Sequence, residues 1–117
     1  MNDFEMNKLL TKTRDTYGNK NQILVAMEEL CELSAALAKF PRYEDEQDAI
    51  NKTRGSVLDE VADVFIVLNH VTQIFGLTNE DIESRMDKKL ERLSRWLDTA
   101  ESFEQTTKDR TIKEGNT

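Results

Sequence analysis

Apolar residues recur at helical spacing along most of the chain and predict four helices. The first spans about residues 3–17, with Met6, Leu9, Leu10, Thr13 and Tyr17 on one side. Gly18 and Asn19 then supply a turn, since both tolerate the left-handed conformation. The second helix spans about residues 21–40. Its expected core stripe is Ile23, Met27, Leu30, Ser34 and Leu37, widened by Leu33 and Phe40, and Pro41 ends it. Residues 42–56 form a polar connection that holds Ile50 and has room for a short helix, closed by Gly55 and Ser56. The third helix, about 57–75, is apolar nearly all round and belongs at the centre of a bundle. Gly76 is its expected stop. Thr78 caps the fourth helix, with Asp81 three residues on in the manner of a capping box. That helix places Ile82, Met86, Leu90, Leu93, Trp96 and Leu97 on one face and is expected to fade after about Phe103.

The expected fold is therefore all-α, a four-helix bundle. One domain covers residues 1–104, and the polar stretch 105–117 is expected to be frayed or disordered. Three helices of one chain cover an all-round apolar third helix poorly. A second subunit would cover it better, so a homodimer or homotetramer is expected.

Composition narrows the partners. A net charge of −7 argues against a nucleic-acid surface, which needs a basic patch. It leaves room for a phosphorylated small molecule, because a bound metal inverts the local field. The single cysteine, Cys31, cannot form an intramolecular disulfide, and a reducing compartment suits it. Cys31 reads as a small core or boundary residue. No apolar run reaches the roughly 18 residues of a membrane span. The first residues lack the basic start and apolar core of a signal peptide. The expectation is a cytoplasmic protein with no membrane partner.

Two acidic pairs break the apolar pattern. Glu29 and Glu32 stand three apart in the second helix, and Glu60 and Asp63 three apart in the third. Residues at that spacing are neighbours on one helix face. Glu60 falls among Val57, Val61, Val64, Val67 and Val71. An ionised carboxylate in such an arc is costly without a positive partner. Two acidic pairs on facing helices would suit a hard divalent cation such as Mg²⁺. The competing account is a buried salt bridge, with Lys89 as the candidate partner. Glu28 and Glu32 lie on the polar side of their helix, and Glu29 at the edge of its core stripe.

Lys89 interrupts the apolar stripe of the fourth helix between Met86 and Leu93, with Arg85 and Arg92 beside it. It either snorkels along the surface or carries a point charge that meets phosphate. Arg92 and Arg95 alone would pass as surface charges. His70 lies on the more polar side of the third helix, two turns past Asp63, where a solvent or subunit contact is expected ahead of a place bordering the site. No dinucleotide fingerprint, P-loop or Ser/His/Asp pattern is present, nor the Glu-x-x-His pairs of a di-iron bundle.

The run Glu28-Glu29-Leu-Cys-Glu32 followed by Asp59-Glu60-Val-Ala-Asp63 resembles the MazG-like nucleotide pyrophosphohydrolases of the all-α NTP pyrophosphatase superfamily. That superfamily also holds dimeric dUTPases and phosphoribosyl-ATP pyrophosphohydrolases. Its signature is ExxE followed by ExxD in the paired helix, and the resemblance covers about residues 20–97. It implies metal ligation by Glu29, Glu32, Glu60 and Asp63. It also implies phosphate binding by Lys89 and Arg92, which match the family's lysine and following basic residue. Where relatives often carry Asn two residues before that lysine, this chain has Asp87. The implied reaction is hydrolysis of an NTP or dNTP to the monophosphate and pyrophosphate. Mg²⁺, or Mn²⁺ in its place, is the implied cofactor. Glu32, on the wetter side, is the candidate to orient or deprotonate water. The first helix and a neighbouring subunit are implied at the base. Two alternatives stand beside this. One is a non-enzymatic helical adaptor or regulatory bundle. The other is a related enzyme acting on a substrate such as phosphoribosyl-ATP.

Overall fold

The computed structural model describes residues 1–115. They form four α-helices: α1 (Asp3–Tyr17), α2 (Asn19–Ala38), α3 (Glu46–Ile74) and α4 (Asn79–Gly115), with no strand among the described residues. The chain divides into two compact units, Met1–Leu77 and Thr78–Thr117. Among the described residues no single helix is long and apolar enough to cross a membrane.

In the first unit α2 packs along α3, and α1 packs on α2. Gln22 shares a cleft with His70, Glu29 with Asp63, and Leu37 with Val57, so α2 and α3 run antiparallel. Asn2 caps α1 by accepting a hydrogen bond from the Glu5 amide at 2.8 Å. Gly18 turns α1 into α2 with a φ of 90°, a conformation that costs glycine little. At the end of α3, Gly76 adopts a φ of 64° and the Leu77 amide donates to the Thr72 carbonyl at 2.8 Å. That is a left-handed C-terminal cap.

α3 begins at Glu46, well before the expected residue 57. Asp45 caps it, its side chain accepting from the Asp48 amide at 3.2 Å, and Glu46 and Asp48 complement the positive helix start. Lys52 and Glu44 form an ion pair at 2.7 Å beside this first turn. Gly55 lies inside the helix and closes nothing. A lone glycine costs a helix only about 1 kcal/mol, and Ala49, fully buried, anchors the extra turns.

The face of α2 that meets α3 also differs from the expected stripe. Gln22, Ala26 and Ala36 are buried, with Glu29 and Leu33 half-buried, whereas Met27, Leu30 and Leu37 are exposed. Small alanines let the two backbones approach closely. The larger apolar side chains stand on a second face that nothing in the first unit covers. On α3, Phe65 is 66% exposed and Leu58, Ile66 and Leu68 are also exposed. An apolar cleft of about 410 Å³ opens between Leu37 and Phe40 of α2 and Ile50, Val57, Leu58 and Val61 of α3.

In the second unit Thr78 and Asp81 form the expected capping box. The Thr78 amide donates to Asp81 Oδ2 at 3.0 Å and the Asp81 amide to Thr78 Oγ1 at 3.1 Å. These bonds, the backbone one first, hold the Asp81 carboxyl below its usual range. The expected fading after Phe103 does not occur: α4 continues to Gly115. Nothing in residues 104–114 is a proline or glycine, and many are good helix formers. The rest of the expected frayed tail, residues 116–117, lies outside the described residues. The apolar stripe of α4 is exposed, with Trp96 at 75%.

Candidate metal centre

Helical spacing carries Glu29 onto the packed face of α2, one turn beyond Ala26 and one before Leu33. Glu32 follows on the solvent side. On α3, Glu60 and Asp63 flank Val61 and precede buried Val64 and Val67. The antiparallel pairing then sets the two acidic pairs opposite each other. Carboxylate oxygens of Glu29, Glu32, Glu60 and Asp63 all lie within 4.8 Å of one another. Glu29 and Glu60 are half-buried, and Glu32 and Asp63 are exposed.

Four carboxylates so close repel one another, and two cannot be fully hydrated. Glu29 Oε2 and Glu60 Oε2 are buried with no hydrogen-bond partner. Burial first, then the charges of Glu32 and Asp63, push both carboxyls above the usual glutamate value of 4.5. A buried polar atom in a folded protein normally has a partner. Hard oxygen donors with unsatisfied lone pairs fit a divalent cation of the Mg²⁺ or Mn²⁺ type. Glu28 is exposed and stands outside this cluster.

Lys89 and Arg92 belong to α4 in the second unit, where both are exposed. Cys31 is exposed rather than a core or boundary residue.

His70 departs most from its sequence reading. It is only 3% exposed, and its Nδ1 lies 3.1 Å from Arg14 Nη1 of α1. Burial first, and the Arg14 charge second, lower its pKa from the usual histidine value. Gln73 of α3 reaches α1 as well, donating to Asn7 Oδ1 at 3.0 Å. His70 and Gln22, itself 6% exposed, line one end of a cleft of about 200 Å³ whose other end is Glu29 and Asp63. Val25, Ile66 and Val67 form its walls. Neither Gln22 nor Arg14 stands out in the sequence alone. Their signal is positional: Gln22 precedes Glu29 by seven residues, and His70 follows Asp63 by seven, so each stays on its acid's helix face.

No known protein family, no characterised protein and no solved structure matches the chain.

Proposed function

We propose that this protein is a metal-dependent nucleoside triphosphate pyrophosphohydrolase of the MazG-like type, converting an NTP or dNTP to the monophosphate and pyrophosphate. The observation that carries this reading is the meeting of four carboxylates from two helices within 4.8 Å, two of them with buried, unpartnered oxygens. A purely structural acidic cluster has no use for orphaned oxygens, whereas a cation site requires free lone pairs.

In this reading Glu29, Glu32, Glu60 and Asp63 hold one or more divalent ions. The bound metal supplies charge neutralisation to phosphate oxygens and a water of lowered pKa. Glu32 shares the cluster yet faces solvent, so its carboxylate can orient that water and take its proton. Glu29 and Glu60, fixed on the packed faces of α2 and α3, set the positions of the other two acids. Lys89 and Arg92 neutralise charge on the substrate phosphates.

The role of Lys89 has its own test. Lys89→Met fills similar space without charge. We expect the fold to keep its stability and kcat/KM to fall about 10- to 100-fold, the scale of one charged hydrogen bond. The check is steady-state kinetics paired with a thermal melt. Unchanged kinetics, with a stability loss of about 3–5 kcal/mol that Mg²⁺ does not restore, would instead mark Lys89 as the structural partner of a buried acid.

The reading includes assembly into a homodimer or a tetramer of dimers. The exposed large apolar side chains of α2 and α3 in the first unit, and separately those of α4 in the second, support it, since such side chains gain by burial against a partner. Light scattering at micromolar concentration should give at least twice the 13.5 kDa chain mass. A monomer there would overturn it.

The function itself is tested by incubating the protein with Mg²⁺ and each common NTP and dNTP and assaying pyrophosphate. The non-enzymatic bundle predicts none from any of them.

A further inference from the structure

α1 is held to the first unit by few contacts, and one of them depends on a proton. Leu10, 5% exposed, is the one buried residue of this helix, while Phe4, Leu9 and Tyr17 are exposed. Two hydrogen bonds between side chains join α1 to α3 among the described residues. Gln73 donates to Asn7 Oδ1 at 3.0 Å, and Arg14 Nη1 meets His70 Nδ1 at 3.1 Å. The other nitrogen of that guanidinium stays within α1, donating to Thr11 Oγ1 at 3.2 Å. A helix of 15 residues is marginal in water by itself. α1 therefore depends on these anchors.

Arginine has no acceptor, so the contact with Arg14 requires His70 Nδ1 to accept. Only a neutral ring can do so, because both nitrogens of a protonated ring are donors. Protonation thus removes the acceptor and leaves two cations at hydrogen-bond distance. His70 is only 3% exposed, so water screens that repulsion weakly.

No nearby anion offsets it. From α1 the ring faces Arg14, and the next charged residues of that helix, Lys12 and Asp15, are exposed. From α2 the cleft presents Gln22, which is neutral. On α3 its neighbours at three and four residues, Ile66, Val67, Gln73 and Ile74, are uncharged. Glu29 and Asp63 stand at the far end of the cleft, seven residues along their helices from Gln22 and His70, a rise of about 10 Å. The lowering of the His70 pKa accordingly has burial and Arg14 as its causes, and neither acid.

We propose that α1 is a pH-released helix: protonation of His70 breaks its contact with Arg14, undocks α1 from α2 and α3, and uncovers the His70 end of the cleft. The direction follows from linkage. The folded-state value lies below the usual 6.5, so the contribution of His70 to docking is fully present above about 6.5 and is lost as pH falls through the lowered value. Because an undocked α1 is too short to persist as a helix, release appears as loss of its amide protection.

Amide hydrogen exchange of the full chain at pH 7.5 and pH 4.5, corrected for the intrinsic rate at each pH, reads this helix by helix. Protection across α1 should fall about 10-fold or more at the lower pH, the scale of one hydrogen bond to a charged group. Protection in α2 and α3 should fall less. His70→Gln keeps an acceptor for Arg14 and does not titrate, so its α1 should stay protected at pH 4.5. Arg14→Gln keeps a donor and removes the second cation, so its α1 loss should be smaller than in the unaltered protein. That variant also carries the test should His70→Gln not fold. Unchanged α1 protection at pH 4.5, or a loss spread equally over α1, α2 and α3, overturns the proposal. So does an α1 loss as large in either folded variant as in the unaltered protein.

Discussion

Glu60→Gln is expected to lower metal-dependent pyrophosphate release by at least about 100-fold, the scale of losing a key electrostatic group. The side chain keeps its shape and loses its charge. Glu60 Oε2 is buried without a partner, and among the described residues Glu60 forms no ion pair. Its carboxyl is already pushed toward the protonated form by burial and by Glu32 and Asp63. Removing the charge therefore relieves repulsion in the metal-free protein, and the helices should form as before. Circular dichroism in EDTA checks the fold, and a pyrophosphate assay checks the activity. A Glu60→Gln variant that turns over normally with Mg²⁺ would show that the cluster is not the catalytic metal site.

The second large effect is on stability. Millimolar Mg²⁺ or Mn²⁺ should raise the melting temperature, because an ion that binds only the folded state stabilises it. The gain is about 2.7 kcal/mol when the free ion is at about 100 times its dissociation constant. The pH dependence has a definite sign. Glu29 and Glu60 have folded-state pKa values above the usual 4.5, so between those values the native state holds more protons than the unfolded one. Stability in EDTA should then be greatest at or below about 4.5 in these groups' contribution, and fall as pH rises through the raised values. The metal reverses this, since it binds the ionised carboxylates and is displaced by protons. Melts in EDTA and in Mg²⁺ should therefore diverge as pH rises. Parallel melts, with no metal shift at pH 7, would favour an adaptor bundle in which the acids are only a solvated cluster.

Much of the site is legible in the sequence because helical geometry is rigid. Glu29 with Glu32, and Glu60 with Asp63, each stand three residues apart and must share a helix face. Glu60 within a valine arc has to sit near a packing surface. The apposition of the two pairs follows once α2 and α3 pack antiparallel. The start of α3 is harder to read. Gly55 and Ser56 look like a boundary, but Asp45 with acids after it is an adequate helix start, and one interior glycine is tolerated. The packed face of α2 is obscured for a related reason. Large apolar side chains draw the expected stripe to Met27, Leu30 and Leu37, whereas close helix approach favours Ala26 and Ala36. A helix with two apolar faces gives no internal sign of which one its own chain covers. His70 illustrates a third limit. Its side-chain partner, Arg14, is 56 residues away, and no local periodicity reports such a partner.

Whether the four-acid cluster performs pyrophosphohydrolysis is decided by the identity of the products. The protein is incubated with Mg²⁺ and, in turn, each common nucleoside triphosphate, and the products are resolved by phosphorus NMR. Monophosphate and pyrophosphate should appear in equal amounts, and EDTA should abolish both. Diphosphate with orthophosphate, or unchanged triphosphate across every nucleotide tried, would refute pyrophosphohydrolysis at this site.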